Sequence, residues 1–144
     1  MVLNLFFDLD GFKRVKDDLG HRAGDELLRQ IGDFLKTQEL TRDRCYRYGG
    51  DEFVILCRAI DTVGLKAVIT ALKQRFESKW FLREGEVICR CSVGISRYPM
   101  DSGCAADLIH KADVAMYYAK RSGTGLVYFH HDGDMISDET FFRL

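Results

Sequence analysis

Proline is nearly absent from this chain: its 144 residues contain one, Pro99. No Pro-rich linker therefore divides it, and no repeat or low-complexity stretch marks a second unit. An excess of one charge is also missing. Lysine and arginine number 21 against 22 aspartates and glutamates, a formal net charge of −1, which leaves no global basic field to hold a nucleic acid. No apolar run reaches the length of a membrane span. The apolar start, residues 2–7, is too short for a signal peptide and runs straight into Asp8 and Asp10. Metal-like cysteine spacing is absent too: the five cysteines are an odd count, and the four histidines form no zinc-like pair. Cys89 and Cys91, two apart in a strand-like run, read as small core residues on one face. A reducing cytoplasm fits such thiols, whether the protein is free there or is the cytoplasmic part of a membrane-anchored one.

What is present is ordinary globular material, 47% hydrophobic and 30% charged, and long enough for one domain with a real core. Residues 2–7 predict a central strand buried on both faces. Residues 11–20 predict a loop or short helix. From Asp25 onward, Leu27, Leu28, Ile31, Phe34 and Leu35 recur at helical spacing. Two strand-like runs, 44–48 and 53–57, flank Gly49-Gly50, a tight-hairpin signal. Leu65, Val68, Ile69, Leu72 and Phe76 mark a second helix, capped by Asp61 or Thr62. Residues 86–98 alternate, with Val87, Cys89, Cys91, Val93 and Ile95 sharing a face. A third helix carries Leu108, Ala112, Met116 and Ala119 inward. It ends with Lys120, Arg121 and a Gly123 C-cap. Residues 126–129 read as a last strand. This order predicts an α/β (α+β) fold, a mixed sheet flanked by helices and carrying a β-hairpin. Residues 1–130 form the expected domain. Residues 131–144 read as a connector to a further domain, against which Phe141, Phe142 and Leu144 would find burial.

The acids carry the chemistry. Asp8 ends a buried strand, where a carboxylate is costly unless neutralised. Asp10, two residues on, either shares its face by strand alternation or simply starts the loop. Asp51 and Glu52 follow Gly49-Gly50, at a turn between strands that normally avoid acids. Such a turn can be merely solvated. It can also let a substrate approach bare glycine backbone while Asp51 reaches towards Asp8. Two acids at adjacent strand ends, with backbone carbonyls, make a hard oxygen site suited to Mg²⁺, and magnesium beside phosphate implies phosphoryl or nucleotidyl transfer.

The run Arg47-Tyr48-Gly49-Gly50-Asp51-Glu52-Phe53 resembles the signature that names the GGDEF family of diguanylate cyclases. Residues 7–13, Gly20-His21 and residues 24–28 are similar to that family's first strand, loop and helix. Residues 92–96 resemble its later strand, and residues 112–120 its last helix. The resemblance runs in order over residues 3–129. It implies a nucleotide-cyclase, ferredoxin-like palm. It implies that Asp8, Asp51 and the Leu9 carbonyl hold two Mg²⁺ ions, for which Mn²⁺ can substitute. It implies that the backbone of Gly11 and Phe12, with Lys13 and Lys120, holds a triphosphate near Gly49 and Gly50. Asp25 would accept hydrogen bonds from guanine, and Glu52 would assist either as a base or as an acid behind the metal ligands. The implied reaction joins two GTP into cyclic di-GMP with release of pyrophosphate, and it needs two domains face to face as a homodimer.

The chain departs from that pattern at several positions. Lys16 stands where the family places the Asn that pairs with guanine, and lysine only donates hydrogen bonds. Thr124 stands where an Arg grips phosphate; a lost charged hydrogen bond costs about 1.5–3 kcal/mol, roughly ten- to hundredfold in affinity. Leu40 replaces the Arg of the Arg-x-x-Asp product-inhibition site, although Asp43 is kept and Arg42 is out of register, so no such feedback is expected. The helix that precedes the family's first strand is missing, which is expected to leave apolar sheet surface bare and suggests a trimmed piece of a longer protein. Three readings follow. One is an active cyclase. The second is a GTP-binding regulatory module attached to an EAL-type cyclic di-GMP phosphodiesterase or a sensor domain, favoured by Lys16 and Thr124. The third, a nucleic-acid-binding domain, is opposed by the near-neutral charge. No membrane contact by this domain is expected.

Overall fold

Residues 2–10 are extended and their side chains alternate, so a single strand supplies two different surfaces. Leu3, Leu5, Phe7 and Leu9 enter the main core. Asn4, Phe6, Asp8 and Asp10 belong to the opposite face. The computed structural model describes residues 2–38, 44–58, 61–123 and 127–144. In chain order the elements are β1 (Val2–Asp10), α1 (Phe12–Leu19), α2 (His21–Thr37), β2 (Cys45–Gly49), β3 (Glu52–Arg58), α3 (Thr62–Glu77), β4 (Trp80–Leu82), β5 (Gly85–Val87), β6 (Arg90–Tyr98), α4 (Ala105–Ser122), β7 (Val127–His131), β8 (Asp134–Ser137) and α5 (Asp138–Phe142).

Six strands form one sheet in the order β2-β3-β1-β6-β7-β8, and β4 and β5 form a separate ribbon. β1 lies between β3 and β6, antiparallel to both. β6 and β7 are parallel, with α4 between them in the chain. The mixed sheet flanked by helices is the architecture the sequence predicts. On one face, α2 and α3 bury Leu27, Ile31, Leu35, Leu65, Ile69, Leu72 and Phe76 against the odd residues of β1. On the other, Ala112 and Met116 of α4 cover Phe6 and Val54. Here α4 comes so close to β6 that a Cβ on Gly94 would lie 1.9 Å from the Ala112 carbonyl oxygen and 2.2 Å from the Met116 nitrogen. Only a residue without a side chain fits there.

Several local predictions hold. Asp61 caps α3, its carboxylate accepting from the Gly64 N–H at 2.7 Å. Gly123 closes α4 in the left-handed region at φ 70°. Cys89, Cys91, Val93 and Ile95 are buried together, and all five cysteines are free thiols.

Three expectations are corrected. Helix α2 starts at His21, four residues before the apolar pattern becomes visible, because Gly20 (φ 95°) breaks it from α1. The single strand expected over 86–98 is two: β5 turns back on β4 through Gly85, and only β6 joins the main sheet. Trp80 holds that ribbon down, buried 5.5 Å from the Phe76 ring with the Arg75 guanidinium over it. The segment expected to be a connector folds back on the sheet. Asp132 (φ 50°) and Gly133 (φ 81°) make a two-residue turn that pairs β8 with β7. Phe141 then stacks on Phe129 with ring centroids 3.9 Å apart, and Phe142 packs edge-on. Both pack part-buried against this chain's own core, whereas Leu144 stays exposed. Leu126, expected in the last strand, lies outside the described residues.

On the α4 face, Val2, Tyr46, Tyr48, Val54, Leu56, Leu108 and Ile109 border an open groove of about 300 Å³. Apolar sheet surface is bare there. Among the described residues, no helix is long and apolar enough to cross a membrane.

Candidate active site

The antiparallel register places Glu52 directly opposite Asp8 on one side and Ser92 opposite Asp8 on the other. Glu52, Asp8 and Ser92 therefore form a row across β3, β1 and β6, on the face that α4 covers. Like charges opposite each other in a strand pair are destabilising, so the row departs from what stability alone favours. The hairpin turn adds a third acid. Gly49 pairs with Glu52, which leaves Gly50 (φ 47°) and Asp51 as the turn residues. The Leu9 N–H donates to the Asp51 carbonyl at 3.2 Å, and the Arg47 guanidinium donates to the Gly50 carbonyl at 2.9 Å. These bonds fasten the turn to the end of β1. In an extended strand a residue's N–H and C=O point to the same side, so the Leu9 carbonyl also turns towards the hairpin.

Ligand atoms of Asp8, Asp51 and Glu52 consequently lie within 4.8 Å of one another. Asp8 Oδ1 is buried and has no hydrogen-bond partner. Its other oxygen, Oδ2, accepts from Lys120 Nζ of α4 at 2.6 Å. Lys120 also lies 3.8 Å from Asp10 Oδ1, and Asp10 accepts from the Ser92 hydroxyl at 2.9 and 3.1 Å. An all-oxygen set with an orphaned buried carboxylate oxygen fits a hard divalent cation.

The electrostatics agree with a site built for added positive charge. Burial pushes the Asp8 carboxyl above its ordinary value; the Lys120 hydrogen bond opposes this, and nearby Asp51 adds to the rise. Asp10 is raised chiefly by burial, with Ser92 and Lys120 pulling the other way. Glu52 is raised by burial, then by Asp8, Asp113 and Asp51. Burial works against the Lys120 ammonium, yet the surrounding carboxylates outweigh it and raise its pKa. One lysine therefore does not neutralise the cluster.

Beside the acids lies a cleft of about 220 Å³ lined by Phe12, Lys13, Lys16, His21, Asp25, Leu28, Arg47, Gly50 and Asp51. Gly11 (φ 77°) lets the chain turn from β1 into α1 without a side-chain cap. The first N–H groups of α1 then have no partner inside the helix and suit an anion. Lys16 lies across α2: its Cγ is 2.6 Å from where a Gly24 Cβ would be, and its ammonium sits 5.0 Å from the Phe12 ring centroid.

Apart from Leu9, which lies within β1 with its side chain in the main core, the expected site residues that the structure describes are in these two clusters or at the turns beside them. Four neighbours were not expected. Ser92 was hidden because only the β1–β6 register puts it beside Asp10. Arg47 and His21 enter the cleft through tertiary packing. Asp113 had a legible signal, being two helical turns before Lys120 on the same face of α4. Leu40, Arg42, Asp43 and Thr124, which carry the expected loss of product inhibition and of a phosphate contact, lie outside the described residues.

A family model described as "Diguanylate cyclase, GGDEF domain" matches residues 1–125. The chain is 37% identical over 126 residues to the bifunctional diguanylate cyclase/cyclic di-GMP phosphodiesterase MucR of Pseudomonas aeruginosa, covering 87% of this chain and 18% of that protein. It is 32% identical over 124 residues to diguanylate cyclase A of Treponema denticola, covering 85% of this chain and 33% of that one. The chain thus spans at most about a third of the length of these curated relatives. An EAL/GGDEF domain protein from M. capsulatus has a solved structure that superposes with a TM-score of 0.78 at 34% identity, covering 90% of this chain and 84% of that one.

Proposed function

The chain belongs to the GGDEF family of diguanylate cyclase domains, and from that premise we propose that it condenses two GTP molecules into cyclic di-GMP and pyrophosphate for bacterial second-messenger signalling. The observation that carries this reading is the convergence of Asp8, Asp51 and Glu52, with Asp8 Oδ1 left without a partner, beside a cleft lined by Lys13, Lys16 and Asp25.

Asp8, Asp51 and the Leu9 carbonyl are the groups that would hold two Mg²⁺ ions or Mn²⁺. Bound metal supplies the charge that lowers a hydroxyl's pKa and steadies a phosphate. The N–H groups of Gly11 and Phe12, with Lys13, receive the triphosphate at the start of α1. Gly49 and Gly50 let it approach the hairpin backbone. Asp25 accepts from guanine N–H groups, and Lys16, a donor only, faces the same cleft. The 3′-hydroxyl of one GTP attacks the α-phosphate of the other. The new P–O bond forms as pyrophosphate leaves, and Glu52, whose raised pKa suits a base, takes the hydroxyl proton. Repeating the step in the opposite sense closes the ring, so two copies must face each other. GTP as substrate and free thiols fit a cytoplasmic site of action, in a longer chain with sensor or EAL phosphodiesterase domains.

The test follows pyrophosphate and cyclic di-GMP from GTP and Mg²⁺. Wild-type protein is expected to form both, and Asp51→Ala to form neither while still melting cooperatively. GTP binding without product in the wild type would instead assign a regulatory role.

A further inference from the structure

Among the described residues the cluster contains one ammonium, and it sits where an arriving cation must act. Lys120 Nζ is 2.6 Å from Asp8 Oδ2 and 3.8 Å from Asp10 Oδ1, while Asp8 Oδ1 has no partner. We propose that Lys120 is the resident counter-ion of the metal site and that its displacement couples cation binding to triphosphate binding. The inference rests on the metal site described above.

The physical argument is one of like charges. A divalent ion held by Asp8 puts two positive charges beside the ammonium. Lys120 must then either weaken the metal or leave Asp8. It can leave, because it is a compact charge on a flexible stem whose side chain is 41% exposed. A free ion expels it into water and forfeits the Asp8 hydrogen bond. An ion arriving with a triphosphate expels it onto phosphate oxygen, so that bond is replaced. Free cation alone therefore binds weakly, and cation and nucleotide strengthen each other. By linkage the strengthening is reciprocal. Lys120 acts as an internal competitor in the empty site and as an anion ligand in the filled one.

The experiment measures Mn²⁺ binding by the electron-spin resonance of the free ion, with and without a GTP analogue whose α–β bridge is methylene. Lys120→Met is expected to bind Mn²⁺ alone roughly tenfold more tightly than wild type. That is the low end of a lost charged hydrogen bond, as solvent screening requires. The same variant should show less tightening of Mn²⁺ by the analogue. Lys120→Arg, which keeps the cation, should retain the weak nucleotide-free binding of wild type. Thermal melts establish that each variant is folded, and Lys120→Gln serves if Lys120→Met does not melt cooperatively. If wild type binds Mn²⁺ with the analogue but the neutral variants bind Mn²⁺ alone no more tightly than wild type, the counter-ion role is overturned while the metal site stands. If wild type binds no Mn²⁺ even with the analogue, the metal site fails and takes this inference with it.

Discussion

Facing carboxylates repel across a strand pair, and Asp8 faces Glu52 in that way with Asp51 close by. The consequence for stability has a definite sign. Asp8, Asp10 and Glu52 all have folded-state pKa values raised above their ordinary 3.8, 3.8 and 4.5. The folded chain therefore holds these protons more tightly than the unfolded chain. Their contribution is favourable below the ordinary values and is lost as pH rises through the raised range. At neutral pH the metal-free cluster is a liability, which a divalent cation held there would relieve. Asp8→Asn, similar in shape and uncharged, is expected to raise the metal-free melting temperature at pH 7 by a few degrees, at about 2–4 °C per kcal/mol for a domain of this size. The gain should shrink towards pH 4 or so, and stabilisation by Mg²⁺ should disappear in the variant. A variant that melts below wild type at pH 7 would refute this account of the cluster. Lys16 raises a different question at the same scale. Its chain lies along Gly24 and its ammonium over Phe12, so packing holds the substituted residue at the edge of the cleft.

At the scale of elements, α4 decides the geometry. The helix carries Lys120 and Asp113 above the acidic row, and it can do so because Gly94 lets it touch β6. Gly94→Ala would drive a Cβ into helix backbone, which cannot rotate away as a side chain can. The expected cost is about 3 kcal/mol or more, read as the midpoint shift in urea unfolding. A variant with wild-type stability would show that the close approach is not needed. The tail is a second case. Phe141 lies flat on the buried Phe129 and is itself part-buried, so Phe141→Ala should destabilise the domain by about 1–2 kcal/mol, below the usual range for a fully buried Phe. A loose connector would lose nothing measurable. The Asp132-Gly133 turn that brings the tail back was present in the sequence as a tight-turn pair; its meaning depended on β7 having an open edge.

For the whole molecule, the cluster and cleft occupy one end of β1, where the hairpin turn, the start of α1 and the last turns of α4 meet. The product proposed above joins two nucleotides, one held by each of two facing copies. Turnover is therefore expected to rise with the square of protein concentration at low concentration, checked by initial rates of pyrophosphate release over a dilution series. A strictly linear dependence in a protein that sediments as a monomer would contradict the face-to-face reaction.

Much of this was determined by the sequence alone. Apolar periodicity, the glycine turn and the Asp61 cap are local features, fixed by neighbours a few residues apart, and they were legible as such. The family motifs also named Asp8, Asp51, Glu52, Lys13, Asp25 and Lys120 before any distance was known. What the sequence could not supply was register and depth. Whether Asp8 faces Glu52 or a neighbour one residue away, whether Ser92 reaches Asp10, whether residues 86–98 form one strand or two, and where Phe141 is buried all depend on pairings between segments tens of residues apart. A shift of one residue in a strand sends every side chain to the other face. Only the packing of α4 and of the main core on opposite faces of β1 selects the register that gathers the acids under Lys120.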